Sequence, residues 1–87
     1  LMDKAQSIGT SLDLRGMTGD EALLEIEKYL DDAFLAGLNS VTLIHGKGTG
    51  ALRAAVHREL KTHPRVKSFR LGEAGEGGAG ATVVQLK

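Results

Sequence analysis

The chain has 87 residues, enough for one hydrophobic core and no second, and its 41% apolar content is that of an ordinary globular domain. It has no cysteine, which excludes disulfides and thiolate zinc sites and fits a reducing cytoplasm, the expected location. No apolar run approaches the ~18 residues of a membrane span, and the opening Leu1-Met2-Asp3-Lys4-Ala5-Gln6 has no apolar leader core, so no membrane partner is expected. Formal charge is zero but unevenly spread. From Asp13 to Asp32, the acids Asp13, Asp20, Glu21, Glu25, Glu27, Asp31 and Asp32 face only Arg15 and Lys28; from Lys47 to Arg70, the bases Lys47, Arg53, Arg58, Lys61, Arg65, Lys67 and Arg70 face only Glu59. A neutral chain can thus still offer a basic surface to a phosphate backbone; the alternative is two solvated helix faces of opposite sign. Tyr29, Phe34 and Phe69 are too few aromatics for a single-strand stacking platform.

Residues 1–10 are polar or small and read as a linker. Leu12-Asp13-Leu14-Arg15 alternates as a half-buried strand does, and Gly16 closes it. Thr18 and Glu21 have the spacing of a capping box, after which Leu23, Ile26, Leu30, Ala33 and Phe34 recur at helical period until Gly37. Val41-Thr42-Leu43-Ile44-His45 is β-branched and reads as a strand, parallel to the first, with a right-handed crossover. The turn Gly46-Lys47-Gly48-Thr49-Gly50 leads into a second helix, buried through Leu52, Ala55, Val56 and Leu60 and stopped by Pro64. Residues 66–71 and 81–86 read as strands, and the glycine-rich stretch 72–80 between them as a mobile loop. The expected fold is α/β: a two-layer βαβαββ domain over residues 11–87, one four-stranded mixed sheet with two helices on one face.

Alternation places Leu12 and Leu14 under the helices and Asp13 with Arg15 on the opposite, open face. The carboxyl ends of the two parallel strands share an edge, where ligands of open α/β sheets collect. The glycine turn at that edge suits a phosphate, since backbone N–H groups approach closely and a helix N-terminus follows. Lys47 and Arg53 bring full charges to the same place. The spacing G-x-x-x-x-G-K-S/T is absent, so the chain is not expected to hydrolyse nucleotides. His45 at the mouth of the turn either exchanges protons with a phosphodiester or is a strand-end histidine bonded to backbone. Asp13 and Arg15 are either chemical groups or a surface ion pair. His57 and His63 read as surface residues, and nothing places Glu73 or Glu76 near the edge.

Leu12-Asp13-Leu14-Arg15-Gly16 resembles the LDLR variant of the LDxH motif of Smr (small MutS-related) domains. His45-Gly46-Lys47-Gly48-Thr49-Gly50 resembles their HGxG motif, extended through Arg53. The stretch 75–84 is similar to the GEGG-x-G-x-T-V-V ending of the MutS type 2 branch, to which arginine at position 15 also points. The resemblance covers about residues 11–87. It implies a domain cut from the C-terminus of a larger bacterial protein, which nicks DNA, with related domains cutting or binding RNA. The implied parent is a dimeric ATPase linked to recombination suppression or stalled ribosomes, the isolated domain being a monomer. The family's important residues fall on Asp13, Arg15, His45, Gly46, Lys47 and Gly48. Catalysis is expected of Asp13, Arg15 and His45, and phosphate binding of Gly46, Lys47, Gly48, Thr49, Gly50 and Arg53. No cofactor is expected, or a divalent cation (Mg or Mn) held by Asp13, with ATP confined to the parent's other domains. With arginine at position 15, no mechanism needing histidine there can operate. Three readings compete: a sequence-nonspecific nicking endonuclease, a non-catalytic DNA, RNA or ribosome-binding module, and an interaction domain with a merely structural turn. The chain lacks the clustered carboxylates of a two-metal nuclease.

Overall fold

In the computed structural model, which describes residues 9–87, the elements run β1 (Ser11–Asp13), α1 (Gly19–Leu35), β2 (Ser40–Ile44), α2 (Ala51–Thr62), β3 (Val66–Leu71) and β4 (Ala81–Leu86). Two short 3-10 turns, Ala74–Glu76 and Gly78–Gly80, separate β3 from β4. Residues 1–8 of the expected linker lie outside the described residues. Its last two residues already join the fold: the Tyr29 hydroxyl donates to the Gly9 carbonyl (2.6 Å), and the Thr42 N–H to that of Thr10 (2.8 Å).

The strands form one four-stranded sheet of order β1-β2-β4-β3, with β1 parallel to β2 and both other pairs antiparallel. The expected mixed βαβαββ sheet is what the chain folds into. β4 takes an interior place, paired with β2 on one side and β3 on the other, and its Ala81-Thr82-Val83-Val84 is buried residue after residue. Leu14, Val41, Leu43, Val84 and Leu86 join Ile26 and Leu30 of α1 and Val56 and Leu60 of α2 in one core.

α1 begins with the expected reciprocal cap: the Glu21 N–H donates to Thr18 Oγ1 (3.2 Å) and the Thr18 N–H to Glu21 Oε1 (2.9 Å). Its buried stripe is Ala22, Ile26, Leu30 and Ala33; the expected Leu23 and Phe34 are only partly buried. Stepping back four residues from Ile26 reaches Ala22, so the small side chain takes the face and Leu23 flanks it. β1 ends two residues early. The Asp13 carboxylate accepts the Arg15 N–H (3.0 Å), turning the chain away while Leu14 stays fully buried.

The 72–80 stretch differs from the expected mobile loop. Glu73 N–H donates to Glu76 Oε1 (2.8 Å), Gly78 N–H to the Glu73 carbonyl (2.9 Å), and Arg70 grips both Glu76 oxygens (2.8 and 3.0 Å). Local hydrogen bonds offset the entropy that its glycines would otherwise keep. That arginine and the Glu73 N–H hold the Glu76 carboxyl down at about 2.

Leu30→Ala is expected to cost about 2–5 kcal/mol through the cavity it leaves. Thr18→Ala should cost about 1 kcal/mol through loss of the cap. Urea denaturation with an unchanged m-value checks both; equal losses would mean that cap and core are not separable.

Candidate nucleic-acid interface

The turn between β2 and α2 alternates in backbone sign. Gly46, Gly48 and Gly50 have φ of 83°, 24° and 86°, whereas Lys47 and Thr49 do not have positive φ. Alternation of this kind is shared with the backbone nests in which successive N–H groups bind anions. Among the described residues, the N–H groups of Lys47, Gly48, Thr49 and Gly50 meet no acceptor, while the Ala51 N–H is taken by Thr49 Oγ1 (3.3 Å). Lys47, Gly48 and Thr49 are exposed. The N-terminus of α2 lies directly behind, its dipole adding positive potential. The Arg53 guanidinium curls back over Gly50, with Nη2 3.2 Å from where a Cβ would stand.

Arg15 reaches the same turn from β1. Its Cγ would lie 3.3 Å from a Cβ on Gly46, so glycine there answers both a left-handed backbone and a crossing side chain. Asp13 Oδ1 accepts from Arg15 Nε (2.9 Å) and Oδ2 from Nη2 (2.8 Å), a planar two-point pair at the surface. These bonds lower the Asp13 carboxyl from an ordinary 3.8 to about 2, and raise the Arg15 guanidinium.

The structure does not bring His45 to this pair. Asp13 sits opposite Ile44 in the parallel register, and His45, the residue that follows β2, turns to the helix side. His45 is 5% exposed, its Nδ1 3.0 Å from the Gly46 carbonyl and its Nε2 2.8 Å from Thr82 Oγ1. Both nitrogens therefore face inward. Two other histidines expected at the surface are not there. His63 is buried, its Nδ1 accepting the Arg65 N–H (3.1 Å). His57 is half-buried, its Nε2 2.7 Å from the same Thr82 hydroxyl, and burial beside His45, Arg53 and Lys61 pushes its imidazole below the ordinary 6.5. Glu76 points to Arg70, but the loop it stabilises does meet the edge: the Gly80 carbonyl accepts from the N–H groups of His45 (3.0 Å) and Gly46 (2.9 Å).

The Smr domain family matches residues 12–87. This chain belongs to it. An "Endonuclease MutS2" of Pelotomaculum thermopropionicum is 71% identical over 99% of the chain, which spans only 11% of that relative's length. The crystal structure of the Smr domain of Thermus thermophilus MutS2 superposes with a TM-score of 0.87 at 49% identity, covering 91% of this chain and 99% of that one. YdaL, a stand-alone small MutS-related protein from Escherichia coli, gives 0.85 at 28% identity, covering 90% and 64%.

In this Smr domain not every base of the second half is available to a ligand. Arg65 lies over the Phe34 ring (4.2 Å to its centroid) and 3.7 Å from Asp31, and Arg70 is held by Glu76. Lys47, Arg53, Arg58, Lys61 and Lys67 have no acidic partner among the described residues. The donor set at Asp13 does not fit a resident divalent cation: its carboxylate is engaged by Arg15, and among the described residues it belongs to no convergent group of three or more carboxylates and imidazoles. Glu27, Glu59 and His63 do converge elsewhere, between the helices, with ligand atoms within 4.8 Å of one another. There Nδ1 of His63 accepts a backbone N–H, so Nε2 carries the proton of the neutral ring and offers no lone pair to a metal.

The Asp13–Arg15 pair forms above the carboxyl's midpoint and is lost as pH falls through about 2. A carboxyl-detected NMR titration should place Asp13 there. In Arg15→Ala the midpoint should move up toward 3.8 without reaching it, because the residue-15 N–H still donates. An unmoved midpoint would mean that the side-chain pair does not persist in solution.

Proposed function

We propose that this Smr domain is an endonuclease module that grips a nucleic-acid backbone at the 46–50 turn and hydrolyses a phosphodiester beside Asp13 and Arg15. The observation that carries the reading is the run of N–H groups from Lys47 to Gly50 with no acceptor among the described residues, flanked by Arg15, Lys47 and Arg53. A phosphate oxygen supplies what those donors lack. The relatives named as endonucleases supply the reaction class. DNA is the first substrate and RNA the second, since both present the same backbone anion. Within a MutS2-type homodimeric ATPase in the cytoplasm, the module serves recombination suppression or the handling of stalled ribosomes; ATP is bound outside this chain.

Hydrolysis adds a water oxygen to phosphorus and breaks the bond to one ester oxygen, so negative charge grows on the non-bridging oxygens. Arg15 and the turn N–H groups donate there. Asp13 holds the guanidinium flat, and once a phosphate competes for Arg15 the released carboxylate stands ready to take the water's proton, while the departing ester oxygen takes its proton from solvent. His45 would exchange a proton with the ester only by giving up Thr82 or Gly46. Its part is to hold the turn, so His45→Ala should weaken binding as well as cleavage. A non-catalytic DNA, RNA or ribosome-binding module is the second reading, favoured by the saturation of Asp13 by Arg15.

Lys47→Ala should flatten the log K against log salt slope for duplex DNA by about one unit. Gly48→Val should lose affinity while its circular dichroism stays that of a folded domain, because valine resists a positive φ. Asp13→Asn should cut plasmid nicking about 100- to 10,000-fold while leaving DNA affinity within about threefold. These assays are run with Mg, with Mn and with chelator. If Asp13→Asn nicks at the wild-type rate in all three, the binding-module reading takes first place.

A further inference from the structure

Beneath the turn, three side chains meet at one hydroxyl. Thr82, fully buried on β4, places Oγ1 2.8 Å from His45 Nε2 and 2.7 Å from His57 Nε2. His45 Nδ1 lies 3.0 Å from the Gly46 carbonyl oxygen. A carbonyl only accepts, so His45 Nδ1 carries a proton, and in the neutral ring Nε2 is bare. The single hydrogen of the Thr82 hydroxyl then goes to His45, and its oxygen accepts from His57 Nε2–H. Every bond points the same way, from the half-buried surface of α2 to the backbone of the turn.

We infer that Thr82 and His57 are positioning residues for the phosphate-binding turn, joined through His45 in a one-way hydrogen-bond chain that ends on the Gly46 carbonyl; this rests on the reading of the turn as a phosphate site. The Gly46 carbonyl and the Lys47 N–H belong to one planar trans peptide, in which the two bonds point oppositely. Drawing the carbonyl inward to His45 aims the Lys47 N–H outward, toward the ligand. Nδ1 of His57 has no partner among the described residues, and burial disfavours a charged ring there. The groups facing His57 act in the same sense: His45 following β2, Arg53 and Lys61 from its own helix, and the apolar ring of Phe69 on β3 (5.0 Å between centroids).

Long-range imidazole 1H–15N spectra of the protein at neutral pH test the chain directly, and are expected to show His45 as the Nδ1–H tautomer and His57 as Nε2–H. Thr82→Val, which keeps the shape and removes the hydroxyl, should shift the amide signals of Gly46, Lys47 and Gly48. It should also weaken duplex-DNA binding about three- to tenfold, the worth of one buried hydrogen bond. Thr82→Ser should restore both. If Thr82→Val does not fold by circular dichroism, His57→Ala, at a half-buried position, should move the same amides. A His45 protonated at Nε2 alone, or turn amides unmoved in the folded variant, would overturn the inference. If the wild-type protein binds no nucleic acid, the phosphate reading falls on its own, and the tautomers and amide shifts still decide the chain.

Discussion

The Gly80 carbonyl is the point on which the functional edge depends. It accepts two backbone N–H groups, from His45 at 3.0 Å and Gly46 at 2.9 Å, and so uses both of its lone pairs on one strand end. β2 has just stopped at Ile44 and β4 begins at Ala81, so this oxygen closes their ladder and releases the next residues from the sheet. The Lys47 side chain and the Gly46 backbone lie against the same residue, with a Cβ on Gly80 falling 3.4 Å from Lys47 Cγ. Where Gly80 sits is decided in turn by the Arg70–Glu76 pair and the Glu73 bonds that fold the loop before it. A segment rich in glycine thus forms a hydrogen-bonded wall of the turn.

The sheet separates two kinds of chemistry that then meet at Gly46. On the open face, Asp13 and Arg15 are exposed, and their mutual pairing stays hydrated. On the helix face, His45 and Thr82 are buried, so each of their polar atoms needs a fixed partner. The two sets act on Gly46 from opposite sides. The Arg15 stem crosses where a side chain would be, and His45 holds the carbonyl. No side chain other than hydrogen satisfies both neighbours and a φ of 83°.

What was legible in the sequence is what depends on neighbours along the chain. The Thr18–Glu21 cap, the stop at Gly37, the helix-breaking Pro64 and the alternation of β1 each rest on contacts a few residues apart, and they fixed the element order. The pairing of Asp13 with Arg15 on one face followed from period two alone. The position of His45 did not. Being on the same edge as Asp13 is a statement about strand ends, whereas the face is set by register, and Ile44 rather than His45 proved to lie beside Asp13. His57 was missed for a similar reason: it stands one residue after buried Val56, on the flank of the stripe, where a long polar ring can reach inward. The signal that could have found it is Thr82, a hydroxyl at an inward position of a valine-rich strand, which calls for a buried partner. The 72–80 loop was misread because glycine content was weighed and the Glu73-x-x-Glu76 spacing of a capping box was not.

On the proposed reading, a chain of zero net charge would hold a polyanion here with part of the attraction not carried by side-chain charge. Arg15, Arg65 and Arg70 are engaged by Asp13, Asp31 and Glu76, which removes three cations from the long-range field. Peptide N–H groups and the α2 dipole remain, and neither can be titrated or rotated away. Their range is short, so they act on a phosphate already seated rather than drawing one in, a task left to Lys47, Arg53 and the other unpaired bases. Counterion release scales with the charges that neutralise phosphates, whereas a backbone donor adds affinity without adding to that count. The proposed function would thus divide capture and retention between exposed cations, which salt weakens, and the N–H groups of the turn, which it affects less. On that reading Arg15 belongs to the second: fixed by Asp13 before any ligand arrives, it presents its guanidinium at short range, beside the N–H groups of the turn.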